Sequence, residues 1–180
     1  MVIVRTVIAV AASRHWFNYQ MDVHNAFLQG DLLEEVYMTI PEGGDLQKKF
    51  KMKVLGELKF FLGIEFARSS KGIHMRQRKY SLELIYELGL GGAKTAGTPL
   101  EYNQKLTSIE FDRAFNKDAA HEDPILEDAG EYQRLVGRLL YLTMTRPDIS
   151  FGVQVLSQYM HSLKQSHMEA ALRIVRYLKA

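Results

Sequence analysis

Tyr19-Gln20-Met21-Asp22-Val23-His24-Asn25-Ala26-Phe27-Leu28-Gln29-Gly30 is the stretch on which the fold turns. Phe17, Tyr19, Met21 and Val23 alternate with other residues, the period-two pattern of a half-buried strand. Gln20, Asp22 and His24 then fall on the opposite face. An Asp near the end of a strand, followed five residues later by Phe27, fits a carboxylate presented at a cleft. It fits equally a solvated or capping Asp at a strand-to-turn junction, so the flanks must decide.

Upstream the chain reads Val4-Arg5-Thr6-Val7-Ile8-Ala9-Val10-Ala11-Ala12, and downstream Gly30-Asp31-Leu32-Leu33-Glu34-Glu35-Val36-Tyr37-Met38. With the central stretch, these resemble the reverse transcriptase of copia-type retrotransposons, whose text runs T-V-R-T-x-x-A-x-A-A, x-x-D-V-x-x-A-F-L-x-G and E-E-V-Y-M. The resemblance implies that Asp22 is the first metal-binding carboxylate of a polymerase palm. It further implies that Val23 offers its backbone carbonyl to the metal and that Phe27 is the steric gate against a ribose 2′-OH. His24 matches a variable position and receives no role.

Further along, Glu35–Ile40 reads as a short strand ended by Pro41-Glu42-Gly43-Gly44. Leu58–Arg68 reads as a buried strand, Ser69-Ser70-Lys71-Gly72 as a hairpin loop and Ile73–Gln77 as the returning strand. This text resembles the family's F-x-M-K-x-L-G-x-L-x-F-F-L-G-I-E and G-I-x-x-x-Q-x-K-Y, which implies a primer grip. Tyr80, Leu84, Ile85 and Leu88 mark a helical face that Gly89, Gly91 and Gly92 stop. Residues 101–130 are polar, acidic and aperiodic, and read as a loop. Three helices follow: Glu131–Met144, then Pro147 to about Met160, then one opened by a capping box at Ser166-His167-Met168-Glu169. Tyr132–Ile149 and His167–Lys179 again resemble the family, in its thumb and connection.

The expected fold is therefore α+β. Residues 1–77 would form a truncated palm, with an N-terminal helix and a reduced antiparallel sheet of strands near 17–24, 35–40, 58–67 and 73–77. Residues 78–180 would form a helical, thumb- or connection-like region carrying the acidic loop at 101–130.

Composition sets bounds. The 180 residues are 47% hydrophobic, enough for a core, and contain no cysteine, which excludes disulfides and thiolate zinc sites. A net charge of +2 is too small to argue for nucleic acid by itself. Its distribution is more informative: ten Lys or Arg stand between Lys48 and Lys79 against Glu57 and Glu65. Lys51, Lys53, Lys59, Arg76, Arg78 and Lys79 are candidate contacts to a phosphate backbone. The first thirteen residues lack the charged start of a secretory signal, and Arg5 interrupts their apolar run. No stretch reaches membrane-span length, so an intracellular protein without membrane attachment is expected.

One part of the family text is missing. Nucleotidyl transfer needs two divalent ions about 3.5–4 Å apart, and hard cations want several convergent oxygens. In the family, which uses Mg2+ or Mn2+ on an RNA or DNA template-primer, two of these oxygens come from an Asp-Asp pair in a Y-x-D-D hairpin. No Asp-Asp dipeptide occurs here, and the family's Q-A-P-R helix is absent too. Pro41-Glu42-Gly43-Gly44 passes straight to Asp45-Leu46-Gln47-Lys48. The expectation is a catalytically inactive remnant whose Asp22 holds no metal productively and whose template-primer binding is weak or absent. The strand at Phe61-Leu62-Gly63-Ile64 would then pair directly with the Asp22 strand and leave edges exposed. Two alternatives stay open: a nucleic-acid-binding module, and a misjoined gene product of an active reverse transcriptase.

Overall fold

The computed structural model describes residues 2–23, 52–103, 105–115, 123–126 and 128–179. The strand expected near 35–40, together with Phe27 and Lys51, lies outside them. The arrangement is α+β, with an N-terminal helix, then strands, then helices. The chain divides into two compact units, Met1–Met75 and Arg76–Ala180.

In the first unit, helix α1 (Val2–Ser13) buries Ile8 and Ala11, one turn apart. It ends in a Schellman motif: Trp16 N–H bonds Ala11 O at 2.8 Å, and His15 N–H bonds Ala12 O at 3.2 Å. His15 takes the left-handed position at φ 55°, where glycine is usual. Strand β1 (Tyr19–Val23) then pairs antiparallel with β2 (Met52–Glu57). The register sets Met21 against Val54 and Asp22 against Lys53, with an irregularity between Gln20 and Met21 beside Gly56 at φ 93°. Strands β3 (Phe60–Phe61), β4 (Ile64–Ser69) and β5 (Gly72–Arg76) form a separate sheet in that order.

Three expectations are corrected here. The partner of the Asp22 strand is β2, within text that read only as basic, and not Phe61–Ile64. The apolar run 58–67 is no single buried strand. Leu62 and Gly63, both at positive φ (49° and 76°), make the two-residue turn between β3 and β4, and Phe60, Phe61 and Leu62 are exposed. Nor is β1 half-buried: Tyr19 is 61% and Met21 52% exposed, because no second layer covers the two-stranded ribbon among the described residues.

The second unit is built on side chains at helical spacing. Helix α2 (Arg78–Glu87) buries Leu84 and Ile85 and closes on Gly89 at φ 67°. There Leu90 N–H bonds Ile85 O at 3.0 Å and Gly89 N–H bonds Tyr86 O at 3.0 Å, the same Schellman pairing that ends α1. Helix α3 (Ile109–Phe115) follows, then α4 (Gly130–Leu142), a 3-10 turn (Pro147–Ile149), α5 (Ser150–Ser157) and α6 (Gln165–Tyr177). Tyr132, Leu135, Val136, Leu139 and Leu142 of α4 pack with Val153 and Leu156 of α5 and with Ala171, Ile174 and Val175 of α6. The buried Tyr132 hydroxyl donates to Leu156 O at 2.8 Å, and desolvation pushes its pKa up. At Gly152 a Cβ would come within 3.2 Å of Ile174 Cδ1 and Leu100 Cγ, so glycine permits the close approach of α5 to α6.

The acidic stretch 101–130 contains α3 and a buried charge cluster, and is therefore more than a loop. Lys164 Nζ reaches Asp112 Oδ2 at 2.5 Å, Thr107 Oγ1 at 3.0 Å and Asp123 Oδ2 at 3.1 Å. Asp123 also accepts from Ser166 N–H at 2.9 Å and Ser166 Oγ at 2.6 Å. That carboxylate, brought from another segment, serves the first turn of α6 that the expected Ser166–Glu169 capping box would have served. The helix begins two residues earlier than the box placed it, and His167 Nδ1 accepts the N–H of the N-cap residue Lys164 at 3.1 Å.

Candidate functional site

Asp22 sits on β1 one residue before its end, exposed, with Lys53 directly across the ladder on β2. Strand alternation puts Asp22 and Lys53 on one face of the ribbon and Met21 and Val54 on the other. Val23 closes the strand. Phe27, the expected steric gate, is outside the described residues, as is Lys51. Of the remaining expected cations, Lys53 and Lys59 are exposed in the first unit. Arg76 ends β5, and Arg78 and Lys79 open α2, where Lys79 lies 3.9 Å from Glu83. The structure thus brings Asp22 together with Lys53 and distributes the other cations over the two units.

The metal that the family resemblance implies can be tested against these donors. A divalent ion needs several oxygens converging on one point. Among the described residues no group of three His, Asp or Glu side chains does so, and the cross-strand neighbour of Asp22 is a cation. The described donor set does not fit a catalytic metal pair.

The sequence reading missed two arginines. Arg68 Nη1 donates to Trp16 O at 2.8 Å, and its guanidinium lies 4.9 Å from the Phe17 ring centroid. Arg14 lies 5.2 Å from the ring of Trp16. Trp16 and Phe17 stay largely exposed beneath them. An R-x-W-F text preceding a strand carries no spacing signal for such stacking, since Arg68 arrives from 52 residues away.

A family model described as reverse transcriptase (RNA-dependent DNA polymerase) matches residues 44–102. The retrovirus-related Pol polyprotein from transposon RE2 of Arabidopsis thaliana is 29% identical, over 97% of this chain and 17% of the polyprotein. The chain is related to the reverse transcriptases of copia-type retrotransposons. The Pol polyprotein from transposon TNT 1-94 of Nicotiana tabacum is 26% identical, over 98% of this chain and 19% of its own length. An uncharacterized mitochondrial protein of Arabidopsis thaliana is 34% identical, over 74% of this chain and 50% of its own. This copia-type chain thus spans less than a fifth of the length of these polyproteins. No solved structure matches it.

The alignment lengths differ in a telling way. The RE2 alignment runs over 257 positions yet uses 97% of 180 residues, about 175, so about 80 positions hold no residue of this chain. The mitochondrial protein aligns over 136 positions that use 74% of the chain, about 133 residues, almost without such excess.

Proposed function

We propose that this chain is a retrotransposon reverse transcriptase remnant that has lost the centre of its palm and does not polymerise DNA. The observation that carries the reading is the missing Asp-Asp pair in a chain whose text resembles the family over most of its length outside residues 101–130. The roughly 80 unmatched positions against RE2 support it, and so does the start of the family match at residue 44, beside the join at Gly43-Gly44-Asp45. In this reading Asp22 is a vestigial first carboxylate, Val23 its neighbouring carbonyl and Phe27 the old gate position. Residues up to about 77 descend from the palm, and the helices after them from thumb and connection. Asp22 stands directly across the ladder from Lys53, and no second carboxylate converges on it among the described residues.

Primer extension on an RNA or DNA template with magnesium or manganese should give no product above a protein-free control. Template-dependent product would overturn the reading. Sequencing the transcript across the codons for Gly43–Leu46 separates a true loss from a misjoined gene product, which would contain extra coding sequence with a Tyr-x-Asp-Asp.

A second reading, a nucleic-acid-binding module, draws on one observation. Lys53 and Lys59 lie near exposed Phe60 and Phe61 in sequence, the pairing of cation and stacking surface that single strands use. It requires template or primer affinity that falls steeply with salt as counterions are released. Binding that ignores salt would dismiss it.

A further inference from the structure

Four exposed apolar residues of the first unit lie on the two strands that bracket the start of the family match. Tyr19 and Met21 on β1, and Val54 and Leu55 on β2, are 48–61% exposed, and Met21 and Val54 face one another across the ladder. Among the described residues, each strand of this ribbon also has one edge unpaired in its sheet. A two-stranded ribbon with an uncovered apolar face is marginal by itself and is a ready acceptor for further strands. The family match begins at residue 44, between β1 and β2 in the chain, and about 80 positions of the RE2 alignment have no residue here.

We propose that the Met21–Val54 face of the β1–β2 ribbon is a docking surface for the polymerase segment that the Pol polyproteins carry and this chain lacks, and that the chain binds this segment when it is supplied as a separate polypeptide. The docking presupposes the internal loss proposed above. The edges of β1 and β2 offer backbone donors and acceptors to an added strand, and the apolar face offers side-chain contacts that fix which face it covers. The Asp22–Lys53 face is polar and leaves the apolar side as the one to be covered.

The test uses the full chain and the stretch of the RE2 polyprotein that falls at the unmatched positions, made as a separate polypeptide. Light scattering after size exclusion should show a one-to-one complex, and amide exchange should slow in residues 19–23 and 52–57. Met21→Lys and Val54→Lys should each weaken the complex at least tenfold, while Tyr86→Ser, at an exposed site on α2, should leave it unchanged. Unchanged circular dichroism of the helices keeps a loss of binding distinct from a loss of fold. No complex, equal binding by a scrambled segment, or equal binding by the lysine variants would each overturn the proposal. So would a dimer of this chain that Met21→Lys dissolves, because the face would then belong to a second copy. Primer extension by the chain alone tests the loss itself, so the two ideas can fail separately.

Discussion

The two units, Met1–Met75 and Arg76–Ala180, have very different interiors. Among the described residues, 22 apolar side chains are buried, and only Ile8, Ala11, Ile64 and Phe66 of these belong to the first unit. The second unit has Tyr132 to Leu178 knitted into one core, satisfied helix ends and a buried ion cluster. The first has short strands in two sheets and leaves Trp16, Phe17, Tyr19, Met21 and Val54 in water. Burial of apolar surface is the dominant favourable term in folding, so the two units cannot hold equal local stability. Among the described residues, the unit built on local helical contacts carries most of the buried apolar side chains.

The contrast can be broken most sharply at Lys164. Its side chain is buried against Asp112, also buried, and partly buried Asp123, and removing one member strands the remaining charges. Lys164→Ala should cost the helical unit about 3–5 kcal/mol in urea unfolding followed by circular dichroism. Lys53→Ala, at the exposed position across the ladder from Asp22, should leave the same curve unmoved. A small effect at Lys164 would mean that the cluster adds little to the core. Leu139→Ala, fully buried at the centre of α4, should cost about 2–5 kcal/mol, whereas exposed Val54→Ala should again leave the curve in place.

The same cluster gives the helical unit a pH dependence. His167 is fully buried, with Nε2–H donating to Thr107 O at 3.1 Å and its ring stacked 4.0 Å from that of Tyr159. Burial, reinforced by the Lys164 charge, lowers its pKa. A lowered histidine disfavours the folded state once the unfolded chain takes up protons, so stability should start to fall as pH drops through about 6.5. Asp112 is held below the usual carboxylate range chiefly by the hydrogen bond from Lys164. At Asp123 burial works upward, but the Ser166 and Lys164 bonds prevail and lower it. Their contribution is complete above the unfolded carboxylate pKa of about 4 and disappears as pH falls through the lower folded values. Urea midpoints at pH 8, 6 and 5 should therefore decline in order, and His167→Gln should remove the step near 6.5. A flat profile in the parent would contradict the buried, neutral imidazole.

The smallest expected effect separates the two Schellman ends. Gly89 holds its left-handed position without strain, while His15 holds φ 55° at a cost of order 1 kcal/mol. His15→Gly should raise the apparent stability of the first unit by up to about 1 kcal/mol in local amide exchange, with no change in the helical unit. A loss of protection in α1 would show that the His15 side chain does more than occupy the turn.

What was legible in the sequence follows the same division. The α2 face, the α4 spacing from Tyr132 to Leu142 and the stop at Gly89 are local patterns, and local patterns can be read directly. The apolar run through Phe60–Phe61–Leu62–Gly63 conceals a tight turn because a leucine occupies a positive-φ position that composition does not announce. Nor is β2 visible in its basic text, since its partner lies about thirty residues away. The Lys164 cluster joins segments 41 to 57 residues apart in sequence, and no spacing rule connects them. At the candidate site, Asp22 was legible as a strand carboxylate, but its Lys53 neighbour and its exposure required the register.

Residue-resolved amide exchange in native buffer measures the inequality of the two units directly. Amides in α4, α5 and α6 should exchange only through global opening of the helical unit, while those of β1 and β2 exchange orders of magnitude faster. Equal protection across 19–23, 52–57 and 130–177 would contradict it, because the ribbon would then be as well covered as the helices.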